Sequence, residues 1–126
     1  SIAELCDREG VENINIFDDS KTYKSIDSIV YSYDGKRLLK CPRGKTGHVT
    51  IPKGTEIIAA NAFKHCHIDS VSFPSTLIQL ENDAFASSTV KKIDFGIGIK
   101  AIGWFSFMNC RELKSIVIPH QSDGGN

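Results

Sequence analysis

Ile68-Asp69-Ser70-Val71-Ser72-Phe73-Pro74, followed by Ala84-Phe85, is the stretch that decides the fold, because both of its words recur. The first returns as Val49-Thr50-Ile51-Pro52, Ile93-Asp94-Phe95-Gly96 and Ile116-Val117-Ile118-Pro119, its last residues stepping by 22, 22 and 23. The second returns as Ala62-Phe63 and Ser106-Phe107, which sets the three phenylalanines 22 apart. The one-residue excess lies between Cys110 and Leu113, where Arg111-Glu112 replaces a single residue. Ile58, Leu80 and Ile102 stand five residues before each Phe, and the small Cys66, Ser88 and Cys110 stand three after it. A fixed period of this length marks stacked coils, that is, a solenoid.

Each coil has a simple physical reading. From Val71 to Phe73 two apolar side chains share one strand face and Ser72 takes the other. Pro74 has no N–H to donate, so it ends the strand and turns the chain. Asn61 and Asp83 precede Ala-Phe where an N-cap would sit, which predicts a short helical turn there. The Phe then faces inward and stacks beneath the next coil's Phe. No coil buries its apolar stripe alone; stacking does it.

The word apolar-x-x-apolar-x-apolar-Pro, then an apolar residue, then Ala-Phe and a small residue, resembles the Treponema pallidum-type leucine-rich repeats of BspA-like proteins. The resemblance covers residues 46–119 as three regular coils and a closing strand. Thr76, Gly98 and Gln121 stand where conventional leucine-rich repeats place an asparagine. It implies an α/β leucine-rich-repeat solenoid, with parallel strands on one face and short helical or irregular turns opposite. Upstream, Ile29-Val30-Tyr31-Ser32-Tyr33, Asp34-Gly35 and Lys36 to Cys41 read as a β-hairpin, since Asp-Gly suits a tight primed turn. Ile14-Asn15-Ile16-Phe17 reads as an earlier strand, followed by a polar excursion through Asp18-Asp19-Ser20-Lys21. Strand, excursion and hairpin resemble the long inserted repeat of BspA-like proteins. The chain is thus read as one repeat domain: 1–45 a strand and hairpin insert, 46–119 the coils, 120–126 a polar tail. Residues 1–10 are read as a capping turn or a remnant of another coil.

Length and charge limit the functions that fit. The 126 residues, 13.9 kDa, suffice for one core. Fifteen basic residues balance fifteen acidic ones, which removes the electrostatic case for nucleic acid or an anionic membrane. No apolar run approaches the ~18 residues of a membrane-spanning helix. The chain opens Ser1-Ile2-Ala3-Glu4 without a signal-peptide pattern, and reads as a small member or a trimmed piece of a larger array.

Motifs for chemistry are absent. The four cysteines are widely scattered, and His65-Cys66-His67 places adjacent side chains in divergent directions, so no metal site is expected. Cys66 and Cys110 lie two coils apart, roughly 10 Å by strand spacing and beyond the ~7 Å reach of a disulfide. Gly96-Ile97-Gly98 sits where other coils carry Pro and a turn residue, and reads as a structural turn rather than a phosphate loop. No nucleophile motif, zinc motif or cofactor fingerprint is present, so neither an enzyme nor a cofactor is expected.

What remains is surface. Thr50, Ser72, Asp94 and Val117 line up as one outward row, with His48, Ser70, Lys92 and Ser115 beside it. Curved repeat arrays bind proteins on such faces. In the third coil Trp104-Phe105 replaces Ala60-Asn61 and Asn82-Asp83; the aromatic pair either folds over the open end, capping it or joining two copies, or anchors a partner. The candidate binding residues are therefore Thr50, Ser72, Asp94, Val117, Lys92, Trp104 and Phe105. The resemblance implies a non-catalytic interaction or adhesion module, secreted or at a cell surface, whose partner is a host-surface or matrix protein. The alternative is a structural spacer or self-assembly unit, including a homodimer through the uncapped end.

Overall fold

The period of 22 builds two ladders. In the computed structural model, which describes residues 1–17 and 20–120, a short helix α1 (Ile2–Cys6) precedes ten strands. They are β1 (Tyr23–Ile26), β2 (Ile29–Ser32), β3 (Arg37–Lys40), β4 (Thr46–Thr50) and β5 (Ile57–Ile58). Then follow β6 (His67–Ser72), β7 (Gln79–Leu80), β8 (Lys92–Asp94), β9 (Ala101–Ile102) and β10 (Ser115–Val117). One sheet has the order β1-β2-β3-β5-β7-β9 and the other β10-β8-β6-β4. From β3 onward the chain alternates between them, and neighbouring coils pair in parallel. The solenoid is therefore walled by β-structure on both sides.

The α/β expectation is corrected here. Opposite the longer strands the regular coils form only the two-residue strands β5, β7 and β9, and α1 is the only helix among the described residues. The expected helical turns at Ala-Phe do not wind because Asn61 and Asp83 hold φ of 64° and 61°. A left-handed residue does not start a right-handed helix, and Asn and Asp stand there because they tolerate that region. His65, Ser87 and Asn109 repeat the device four residues later, with φ of 63°, 58° and 58°. Each corner is thus a double left-handed bend.

Upstream, no strand forms at Ile14–Phe17; Ile16 N–H instead donates to Ser25 Oγ at 3.0 Å. The earlier strand is β1, antiparallel to β2 through Asp27-Ser28, whose φ of 50° and 64° meet the demand of a primed turn without glycine. Of the expected polar excursion, Asp18 and Asp19 lie outside the described residues. β2 and β3 pair antiparallel with an irregularity between Val30 and Tyr31. β3 in turn pairs parallel with β5, so the N-terminal strands run on into the solenoid.

A column of rings fills the interior. Phe63 and Phe85 stack at 4.5 Å and 3°, and Phe85 and Phe107 at 5.5 Å and 17°. Phe73 and Phe95 form a second column at 5.4 Å, set edge-on to the first. Such pairs add to simple burial. The backbone shows where the first column begins. Phe85 N–H donates to Ser106 O, Phe63 N–H to Ala84 O, and Cys41 N–H to Ala62 O in the same way. Cys41, 22 residues before Phe63, therefore takes the column position of the first coil.

The N-terminal segment covers that first coil. Ser1 caps α1, accepting from Glu4 N–H. Arg43 N–H donates to Cys6 O at 2.8 Å and Gly44 N–H to Val11 O at 2.7 Å, tying the cap to the turn after β3. Lys40, only 7% exposed, pairs with Asp7 at 2.9 Å and donates to Asn61 O at 2.8 Å. The Asp7 carboxylate stays half exposed, so the pair is buried on its lysine side alone, where Asn61 O completes the hydrogen bonding.

Candidate interaction face

Parallel pairing without slippage between β6, β8 and β10 puts outward residues in straight rows. Thr50, Ser72, Asp94 and Val117 are direct neighbours across β4, β6, β8 and β10, and so are His48, Ser70, Lys92 and Ser115. Inward on the same strands stand Val49, Val71 and Ile93, all fully buried. The alternation of strand side chains thus makes a dry inner face and a small, polar outer one.

Charge on this face is already paired. His48 lies within β4 and is held by two hydroxyls of β6: Nδ1 is 2.6 Å from Ser70 Oγ and Nε2 is 3.1 Å from Ser72 Oγ. Both ring nitrogens are engaged and the face is open, so the trio is a hydrogen-bonding surface rather than an oriented base beside a nucleophile. Lys92 and Asp94 make an exposed ion pair at 3.8 Å. A partner meets hydroxyls, one imidazole and one compensated pair.

Trp104 and Phe105 lie apart from this face, at the last corner. Neither ring covers the core: they are 76% and 57% exposed and meet each other at 6.4 Å, with Met108 also exposed nearby in the chain. Phe105 stands in the left-handed position of Asn61 and Asp83, with φ of 57°. A bulky aromatic is an outlier there. Ile116, Val117 and Ile118 are exposed too, a feature that the strand alternation alone did not signal.

The cysteine–histidine cluster diverges as its adjacency demands: Cys66 is buried while His65 and His67 face water. Among the described residues no group of His, Cys, Asp and Glu is placed to hold a metal ion. A cleft of about 380 Å³ between α1 and the first regular corner is lined by Asp7, Lys40, Asn61, Lys64 and His65, among others. Loss of hydration, then the nearby Arg43 and Lys64, lower the basicity of His65 there. Lys40 is already neutralised by Asp7.

With repeat, corner and face in place, the kinship is plain. The model of the BspA type leucine rich repeat region, in six copies, matches residues 42–123, and the chain belongs to this family. A leucine-rich repeat protein from Eubacterium ventriosum ATCC 27560 has a similar structure, with a TM-score of 0.80 and 25% identity over 87% of this chain and 30% of that one. The pneumococcal vaccine antigen PcpA shares the fold with a TM-score of 0.66 and 17% identity, over 86% of this chain and 33% of its own. This chain spans about a third of the length of either. No curated protein matches it.

Proposed function

We propose that the chain is a non-catalytic protein-interaction module of a cell-surface leucine-rich-repeat protein, and that it adheres to a host-surface or matrix protein. The observation that carries this reading is the registered outer face of β4, β6, β8 and β10, where Thr50, Ser72, Asp94 and Lys92 present polar groups and Val117 an apolar one over a regular ladder. Preorganised strands limit the side-chain entropy that binding costs. Likeness to a vaccine antigen supports a surface location for the parent protein. Among the described residues no helix is long and apolar enough to cross a membrane.

Titration of immobilised chain against matrix and host-surface proteins tests the proposal. Saturable binding that is lost in Ser72→Arg, with an unchanged melting curve, is the expected result. Absence of saturable binding across the panel overturns adhesion.

A second reading, a self-assembly unit, is favoured by one specific observation. The open end carries exposed Trp104, Phe105 and Met108 just after β9, and among the described residues β9 and β10 are the last strands of their sheets. Unpaired strand edges with apolar neighbours promote association. Light scattering decides: a dimer that Trp104→Ala breaks supports this reading, and a monomer at high concentration removes it.

A further inference from the structure

We propose that Cys41 and Cys66 form a latent disulfide pair, closed by exchange with a small-molecule disulfide of the glutathione type, which locks the N-terminal end of the aromatic column.

Three segments bring thiols together at that end. Cys6 ends α1, Cys41 follows β3 and Cys66 precedes β6, and all three are free and fully buried. Cys41 Sγ and Cys66 Sγ both approach one acceptor, Pro42 O, at 3.5 Å and 3.8 Å. Cys66 Sγ also lies 3.5 Å from Cys41 O. They belong to adjacent coils, Cys41 at the Phe position of its coil and Cys66 three residues past that position in the next, so that both sulfurs reach the one Pro42 carbonyl.

Cys66 and Cys110 lie two coils apart, whereas Cys41 and Cys66 stand in adjacent ones. Cys110 shows why the pair is special to this end. Its sulfur sits 2.9 Å from Phe85 O, the same offset of 25 residues, but there the column residue is a phenylalanine. Only in the first coil does a cysteine occupy the column, where a ring is missing and a covalent link takes its place.

The closed cap also controls when the link forms. The thiolate is the attacking species. Burial pushes the Cys6 thiol up to about 11, and the bond to Cys66 together with burial holds the Cys41 thiol up as well. Exchange therefore proceeds during folding, or when the bonds Arg43 N–H to Cys6 O and Gly44 N–H to Val11 O open. One protein thiolate attacks the small disulfide, forming a mixed disulfide and releasing one small thiolate. The second protein thiolate then attacks the protein sulfur of that mixed disulfide and releases the other. Both thiol protons end on the two small thiols, so two cysteines are oxidised as one small disulfide is reduced.

The full chain is refolded in a buffer of oxidised and reduced glutathione, quenched with acid, denatured, alkylated with iodoacetamide and mapped by peptide mass spectrometry. The expected map shows Cys41 linked to Cys66, lighter by two hydrogens, with Cys6 and Cys110 alkylated. The linked chain unfolds cooperatively at a higher urea midpoint than the reduced one. Cys110→Ser leaves the link intact and Cys41→Ser removes it; the wild-type map stands alone if the latter does not fold. Four alkylated cysteines at every oxidant ratio, a link that maps to Cys6 or Cys110, or an oxidised chain without a cooperative transition overturns the proposal. The link depends on no partner, so this result and the adhesion result are independent.

Discussion

On β5 and β7, Ile58 and Leu80 are fully buried, whereas Ile102, in the same register on β9, is 46% exposed. The other sheet repeats the gradient: Val49, Val71 and Ile93 are buried, and Ile116 on β10 is not. Phe63 and Phe85 are closed in, while Phe107 is only partly buried. Side chains of one kind in one register meet water differently because burial belongs to the stack and not to the coil. At the N-terminal end α1, the hairpin strands and the Lys40–Asp7 pair supply a cover. At the other end the described residues supply none, and Trp104 and Phe105 turn outward.

The largest test sets the middle of the column against its open end. Phe85 has rings on both sides and Phe107 on one. Removing a buried Phe costs about 3–5 kcal/mol, much of the ~5–15 kcal/mol that a domain of this size holds. Phe85→Ala is expected to shift the urea midpoint far more than Phe107→Ala, with Lys91→Ala, in an exposed ion pair with Asp69, changing stability by less than about 0.5 kcal/mol. Equal midpoints for the two Phe variants would break the comparison between a stacked middle and an open end.

Alkaline pH probes the covered end. The Cys6 thiol rises from 9.0 to about 11, chiefly through burial, and burial likewise holds the Tyr31 phenol well above its ordinary range. A folded value above the unfolded one contributes stability that is complete below the unfolded value and is lost as pH rises through the folded one. The urea midpoint of the reduced chain is therefore expected to fall between pH 9.0 and about 11, and Cys6→Ala to remove part of that fall. An unchanged slope in Cys6→Ala would mean that the cap does not bury this thiol in solution.

The solenoid was legible because its signals were periodic. Phe63, Phe85 and Phe107 recur at 22, and the rows Thr50–Val117 and His48–Ser115 follow from the same count. The corners were misread because Asn and Asp serve both as N-caps and as left-handed residues; a single sequence does not separate these uses. Ser87 and Asn109 carried the missing hint, since a small polar residue stands four after Asp83 and again four after Phe105. The earlier strand was placed at Ile14–Phe17 because its three apolar residues outweighed Tyr23–Ile26, whose turn Asp27-Ser28 lacks the usual glycine. Cys41 escaped notice because its coil is shorter between strand and corner: Leu38 stands three residues before it, where Ile58 stands five before Phe63.

A smaller test concerns how closely coils approach. A Cβ at Gly96 would lie 2.3 Å from Pro74 O and one at Gly98 2.2 Å from Ser75 O, both backbone atoms of the preceding coil. The turn is therefore glycine for proximity, in keeping with its structural reading. Gly96→Ala is expected to cost about 1–3 kcal/mol, as overpacking does, by forcing the third coil away from the second. Thermal unfolding checks it, and an unchanged melting temperature would show that the open end yields where the middle would not.

The smallest expected effect has the opposite sign. Phe105 holds φ of 57° where the preceding coils place Asn61 and Asp83. For an ordinary residue the left-handed conformation costs roughly 1–2 kcal/mol, and asparagine relieves part of it. The ring gives little in return, since it is more than half exposed and touches Trp104 only at 6.4 Å and a 59° tilt. Phe105→Asn is thus expected to stabilise the chain by about 1 kcal/mol, a rise of several degrees in Tm for a domain of this size. A lower Tm would mean that the exposed aromatic pair shields the last coil after all. A higher Tm with loss of self-association, read by light scattering on the same sample, would identify the strain as a cost of keeping an aromatic anchor at the open end.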